Sequence, residues 1–180
     1  DNFGNRRTYQ FIVKGKRQDI PEYKPEANEM LYWNRTNVIQ KPGMELVVPR
    51  YYVYEDVPLR TDMRGDSSHI AFDYILDAGR TPIHSYCDLS IGLRHMPVAD
   101  TTKYYIVQKA GKWRSSMGGK YANGWIKTRV RSLGTFSVDV DTIAPQITPI
   151  GQGGWRTSRN IRFRIKDMES GIGSYKVYID

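Results

Sequence analysis

The sequence predicts an all-β protein, an antiparallel sandwich, and three observations carry that prediction. Valine and isoleucine together number 28 against 14 for leucine and alanine, and there are 13 Tyr, 5 Phe and 4 Trp. Such a β-branched and aromatic excess suits pleated, half-buried surfaces rather than a helical bundle. Apolar and polar residues alternate with period two in several stretches, as strands with one dry and one wet face do. Clusters of Gly, Pro, Asn and Asp punctuate those stretches as turns. With 39% hydrophobic residues in 180, the chain has enough for one full-sized core plus a remainder.

Element by element, Asp1-Asn2-Phe3-Gly4-Asn5 reads as a turn feeding a strand in which Tyr9, Phe11 and Val13 alternate with Gln10 and Lys14. Gly15–Lys24 is polar and aperiodic and reads as a linker. Further strands are expected at Glu29–Trp33 and Met44–Val48, the second after the turn Lys41-Pro42-Gly43. Ile70, Phe72, Tyr74 and Leu76 form one face against Ala71 and Asp73, ending at Asp77-Ala78-Gly79. Leu89, Ile91 and Leu93 alternate with Ser90, Gly92 and Arg94, and Tyr104–Gln108 follows. After Gly118-Gly119 and Asn123-Gly124, Ile126, Thr128 and Val130 oppose Lys127, Arg129 and Arg131. Phe136, Val138 and Val140 then oppose Ser137, Asp139 and Asp141. Beyond Pro145 and the turn Gly151–Gly154, Ile161, Phe163 and Ile165 oppose Arg162, Arg164 and Lys166. A last strand is expected at Ser174–Ile179. About a dozen short strands at this spacing point to a sandwich.

Proline cannot donate to a β ladder, so Asp141–Pro145 marks a junction. The expected organisation is a terminal strand of a preceding β domain at 1–14, a linker at 15–24, a central sandwich at 25–140, and the opening strands of a following domain at 141–180. Because edge strands seek partners, both ends should pack on the middle domain, pair with each other, or bridge chains.

The formal net charge of +8 favours anionic neighbours such as a cell wall, lipid headgroups or nucleic acid. Apolar runs of only a few residues exclude a membrane-spanning helix. No signal peptide is present, and a chain opening on Asp1 reads as a processed product or an excised segment. The single cysteine, Cys87, excludes an internal disulfide and a cysteine-based zinc site. No histidine arrangement makes it a nucleophile.

Cations and aromatics give the candidate binding residues. Lys127, Arg129 and Arg131 project from one side of a strand, with Trp113, Tyr121 and Trp125 near in sequence. A second basic face, Arg162, Arg164 and Lys166, lies near Trp155. Cations with exposed rings suit a glycan surface or a single-stranded nucleic acid, and no specific nucleic-acid motif supports the latter. The bland alternative is a solvated sheet face with the rings in the core. Arg64-Gly65-Asp66 matches an adhesive tripeptide but is also ordinary turn chemistry. Asn34-Arg35-Thr36 is a sequon that matters only in a eukaryotic secretory chain. Asp139, Asp141, Asp167 and Glu169 crowd the junction, where calcium would need six to eight oxygens; solvated strand and turn positions explain them as well. Gly151-Gln152-Gly153-Gly154 lacks the lysine and helix of a phosphate loop.

The Asp1–Asn5 turn before Tyr9–Val13 is similar to the last hairpin of bacterial immunoglobulin-like domains. Asp139–Pro145, followed by Asp167-Met168-Glu169-Ser170-Gly171-Ile172 and Ser174-Tyr175, resembles the junction and opening strands of the next such domain. With Leu46-Val47-Val48-Pro49 and Pro82-Ile83-His84 between them, these pieces resemble the region downstream of the catalytic domain in large lysostaphin-type (LytM-like) zinc metallopeptidases. Those are peptidoglycan endopeptidases of Gram-negative bacteria. The resemblance implies an immunoglobulin-like, non-catalytic accessory region in the cell envelope, periplasmic or associated with the outer membrane. Its partners would be adjacent domains of the parent chain and peptidoglycan or an envelope protein. Zinc is expected only in the peptidase domain: His84-Ser85-Tyr86-Cys87-Asp88 matches the family's H-x-x-x-D spacing, but no H-x-H accompanies it, and His69 and His95 are isolated. A catalytic zinc needs three protein ligands. The expected catalytic, metal and cofactor complement of this chain is therefore none. Two other readings are a wall-glycan-binding module and a surface adhesin fragment of tandem immunoglobulin-like domains.

Overall fold

The computed structural model describes residues 7–16, 26–158 and 160–178. Two antiparallel sheets face each other. The five-stranded sheet is built from β2 (Asn37–Lys41), β3 (Met44–Val48), β6 (Cys87–Gly92), β10 (Trp125–Val130) and β9 (Lys120–Ala122), in that spatial order. The six-stranded sheet contains β1 (Glu29–Leu31), β4 (Val57–Arg64), β5 (Asp73–Asp77), β11 (Gly134–Val140), β7 (Tyr104–Ala110) and β8 (Trp113–Ser116). The chain passes back and forth between the sheets, so all-β sandwich architecture follows from pairings distant in sequence.

Alternation explains which side of each strand is dry. Met44, Leu46 and Val48 of β3, Cys87, Leu89 and Ile91 of β6, and Ile126 and Val130 of β10 turn inward. Leu59, Tyr74, Leu76, Ile106, Phe136 and Val138 meet them from the other sheet. Burying each large side chain contributes about 1.5–3 kcal/mol, so truncating Phe136 to alanine would cost roughly 3–5 kcal/mol. Local chemistry sets the hairpins. Pro42-Gly43 joins β2 to β3 with Gly43 at φ +77°, and a Cβ there would stand 2.7 Å from the Tyr74 hydroxyl. That hydroxyl donates to the Pro42 carbonyl at 2.7 Å, tying the turn to the facing sheet. Asn123-Gly124, both at positive φ, close the two-residue β9–β10 hairpin.

Beyond Asp141 a hairpin of β12 (Gln146–Ile150) and β13 (Arg162–Lys166) stands apart from both sheets. Every residue of β12 is exposed, and Phe163 of β13 is 47% exposed, so the hairpin has no core of its own. Its return segment docks on the outer face of the six-stranded sheet. Ser116 Oγ donates to the Glu169 carbonyl, and Tyr105 beneath is only 6% exposed although it lies on the outer side of β7.

Several expectations are corrected. Tyr9–Val13 forms no strand, and Phe11, Ile12 and Val13 are each more than three-quarters exposed. Residues 174–178 likewise form no strand. Alternation alone does not make a strand where no partner supplies the ladder. The strand containing Tyr74 begins at Asp73, and Ile70–Phe72 is a bend packed on the core. The Asp1–Asn5 turn, residues 17–24 of the linker, and Ile179 lie outside the described residues.

Candidate functional site

The outer face of the five-stranded sheet collects the predicted cations. On β10, Lys127 and Arg129 point outward while Ile126 and Val130 point in. In register, Lys127 stands opposite Lys120 of β9 and Ser90 of β6, and Arg129 opposite Asp88. Like charges facing across a ladder are destabilising, so the Lys120–Lys127 pair is tolerated only because solvent screens it. Lys120, Lys127, Arg129 and Asp88 line a shallow depression of about 430 Å3. Among the described residues none of these three cations has an ion-pair partner. Arg129 instead places its guanidinium 5.8 Å from the Tyr86 ring centroid.

The six-stranded sheet treats its charges differently. Lys109 meets Asp73 at 2.5 Å, Arg114 meets Asp139 at 2.6 Å, and Arg64 meets Asp62 at 3.4 Å. Asp62 is held below the usual carboxylate range by the Met63 N–H and the neighbouring arginines. The basic character is thus expressed on one sheet and cancelled on the other.

Of the predicted aromatics only Trp125 shares the face of the cations. Trp125 lies on the same outer face, half-buried, opposite Ala122 and Gly92. Tyr121 is opposite buried Ile126, on the core side of an edge strand. Trp113 belongs to the other sheet, 80% exposed at the edge of the β7–β8 hairpin. Arg131 follows the end of β10. Arg162, Arg164 and Lys166 sit on the separate β13, where Trp155 packs on Phe163 at 5.1 Å between centroids. Lys120 escaped the sequence reading because only the β9–β10 register places it beside Lys127.

The other motifs are accounted for by local bonds. Asp66 of Arg64-Gly65-Asp66 accepts from the Ser68 hydroxyl at 2.6 Å, the Ser68 N–H at 2.8 Å and His69 at 2.9 Å, which hold its carboxyl far below the usual range. His84 shares a 3.1 Å hydrogen bond with the Tyr54 hydroxyl, while Asp88 stands on the outer face of β6. Asp167 caps the N–H groups of Glu169 and Gly171 at 2.8 and 3.1 Å. Asp141, 6% exposed, accepts from Ile143 N–H at 2.9 Å, Ser170 N–H at 3.1 Å and Ser170 Oγ at 2.5 Å. Burial alone would raise its carboxyl, but those donors bring it below the ordinary value. Glu169 is raised by burial and by Asp141 beside it. Among the described residues no group of three His, Cys, Asp or Glu is placed to hold a metal ion. No helix among them is long and apolar enough to cross a membrane.

No curated protein matches the chain, and no solved structure does. Residues 28–141 match the Zu5-like domain. That interval opens at Asn28, whose amide pairs with the Thr61 backbone at 2.7 and 2.8 Å, and closes at the Asp141 carboxylate that holds Ser170. It therefore coincides with the two-sheet sandwich, and the chain belongs to the Zu5-like domain family.

Proposed function

We propose that this chain is a non-catalytic scaffold region of a cell-envelope protein, working by position. The observation that carries the reading is the joint at Asp141. A buried carboxylate with three donors fixes where the chain leaves a filled sandwich, and the hairpin beyond it exposes both faces to a neighbour. Such an arrangement holds one β module at a defined place relative to another. The placement in a peptidoglycan-cleaving zinc endopeptidase of the bacterial envelope rests on the resemblance of Asp139–Pro145 and Asp167–Tyr175 to the accessory region of lysostaphin-type enzymes. In that setting the peptidase domain supplies the zinc and the bond cleavage. This region sets the distance and orientation of that domain to the wall.

Deleting this region from the parent protein tests the reading. Cleavage of intact sacculi should fall while hydrolysis of a small soluble cross-bridge peptide stays unchanged. Equal loss on both substrates would sink the positional role. So would near-stoichiometric zinc on the 180-residue chain that disappears in His84→Ala.

A further inference from the structure

The loops at one end of the sandwich hold a second constellation. Residues 32–36, 49–56 and 78–86 connect β1 to β2, β3 to β4 and β5 to β6, and therefore emerge side by side. Buried Asn37 fixes the first loop, accepting from the Tyr32 N–H at 2.8 Å and donating to the Tyr32 and Arg35 carbonyls at 2.8 and 3.1 Å. The second loop is tied to the first by Tyr51 N–H to the Trp33 carbonyl at 2.7 Å and by Asp56 Oδ1 accepting the Trp33 N–H at 3.1 Å. His84 N–H reaches the Tyr52 carbonyl at 2.8 Å and ties in the third.

These loops present rings to solvent. The Trp33 and Tyr51 rings touch at a 42° tilt with centroids 5.7 Å apart, and Tyr54 and Tyr86 are each more than half exposed. Tyr51 takes φ +68°, a left-handed conformation that a bulky side chain adopts only under constraint from its surroundings. Backbone strain of this kind concentrates where a side chain must be aimed. Tyr54 also lines a cleft of about 310 Å3 with Glu55, Val57, Arg80, Thr81 and Pro82, and the Trp33 N–H on Asp56 ties the Trp33–Tyr51 pair to the same loop. Glu55 and Arg80 are exposed and have no hydrogen-bond or ion-pair partner among the described residues.

We propose that this cleft binds a neutral, hydroxyl-rich oligosaccharide, with Tyr54 and the Trp33–Tyr51 pair stacking on sugar faces. The proposal rests on the positional reading above and names the wall component that the scaffold would hold. The chemistry selects the ligand. Hydroxyl groups both donate and accept, so a free carboxylate and a free guanidinium at one cleft satisfy them together. The cleft lining carries one carboxylate and one guanidinium and so offers a polyanion no net positive charge, whereas the Lys120–Lys127–Arg129 face does. Glu55 is the one carboxyl in the described lining of the cleft, whereas glycoside hydrolysis ordinarily takes a pair, so the role proposed is binding. The preset loops lower the ordering cost of binding.

The test is calorimetric titration of the 180-residue chain with chitohexaose, a β-linked N-acetylglucosamine hexamer. Saturable binding is expected. Tyr54→Ala and Arg80→Ala should each weaken it about tenfold. Tyr51→Asn keeps a residue tolerant of the left-handed region and should weaken binding without lowering the melting temperature. Trp113→Ala, on the other sheet, should leave it unchanged. The proposal is overturned by absence of saturable binding, by binding indifferent to Tyr54→Ala and Arg80→Ala, or by competition from oligothymidine that high salt abolishes. Chitohexaose acts on this chain alone, so its failure leaves the deletion result on sacculi intact. Equal loss in that deletion experiment would leave the cleft standing.

Discussion

At Cys87 a single position joins packing to reactivity. Its side chain opens β6 on the core face with no exposed surface, and burial, then the charge of adjacent Asp88, pushes the thiol up to about 11. Because the thiolate is the nucleophile, a raised value means a protonated, unreactive group at neutral pH. Alkylation of the native chain by iodoacetamide at about pH 8 should be at least 100-fold slower than that of a free cysteine. Mass spectrometry over time checks this, and labelling at the free-thiol rate would contradict the packing. The inward aim of Cys87 was legible, since Leu89 and Ile91 continue its alternation. Tyr121 was not: its neighbours in sequence suggest a wet strand, and only pairing with Ile126 puts it on the core side.

Among elements, the docked segment around Glu169 carries the clearest electrostatics. Asp141 has a depressed carboxyl, so its contribution is present above the unfolded value and disappears as pH falls through the folded one. Glu169 is raised, so the docked state favours its protonated form, and docking weakens as pH rises through the folded value. Glu169→Gln should therefore slow exchange of the Ser170 amide at neutral pH. Asp141→Ala leaves Ile143 and Ser170 N–H groups unanswered and should cost about 1–3 kcal/mol, seen as faster exchange at Ser170. Faster exchange in Glu169→Gln would show that the two carboxyls do not oppose each other. Strands with regular inward aliphatics were legible here: β3 matches its sequence boundaries, and β6, β10 and β11 were recognised by their alternation. β2 and β4 were hidden, because Asn37 and Thr61 occupy inward positions and Pro58 interrupts the second. The inward amide and hydroxyl fit only because loop carbonyls and Asn28 answer them. The loop cleft had a signal in the ring density of Tyr51-Tyr52-Val53-Tyr54, but the juxtaposition of Glu55 with Arg80 depends on two distant connections meeting.

For the whole molecule, cohesion should be uneven. Hydrogen exchange is expected to show strong protection through β3, β5, β6, β7, β10 and β11. Residues 7–16, 172–178 and β12 should exchange quickly, because their side chains bury little surface. Uniform protection across hairpin and sandwich would mean that the two unfold as one unit. The position of β11 has a further consequence, one of timing. It is the last strand of the sandwich in sequence, yet it lies between β5 and β7 in the middle of its sheet, with Gly134 against Leu76 and Val140 against Tyr104. A chain emerging N-terminus first, from a ribosome or through a translocation channel, exposes unsatisfied edges on both β5 and β7 until residue 140 is out. Folding must wait for that arrival and then close long loops, which places it among slow, topology-limited domains. Throughout that delay a chaperone has two open edges to hold.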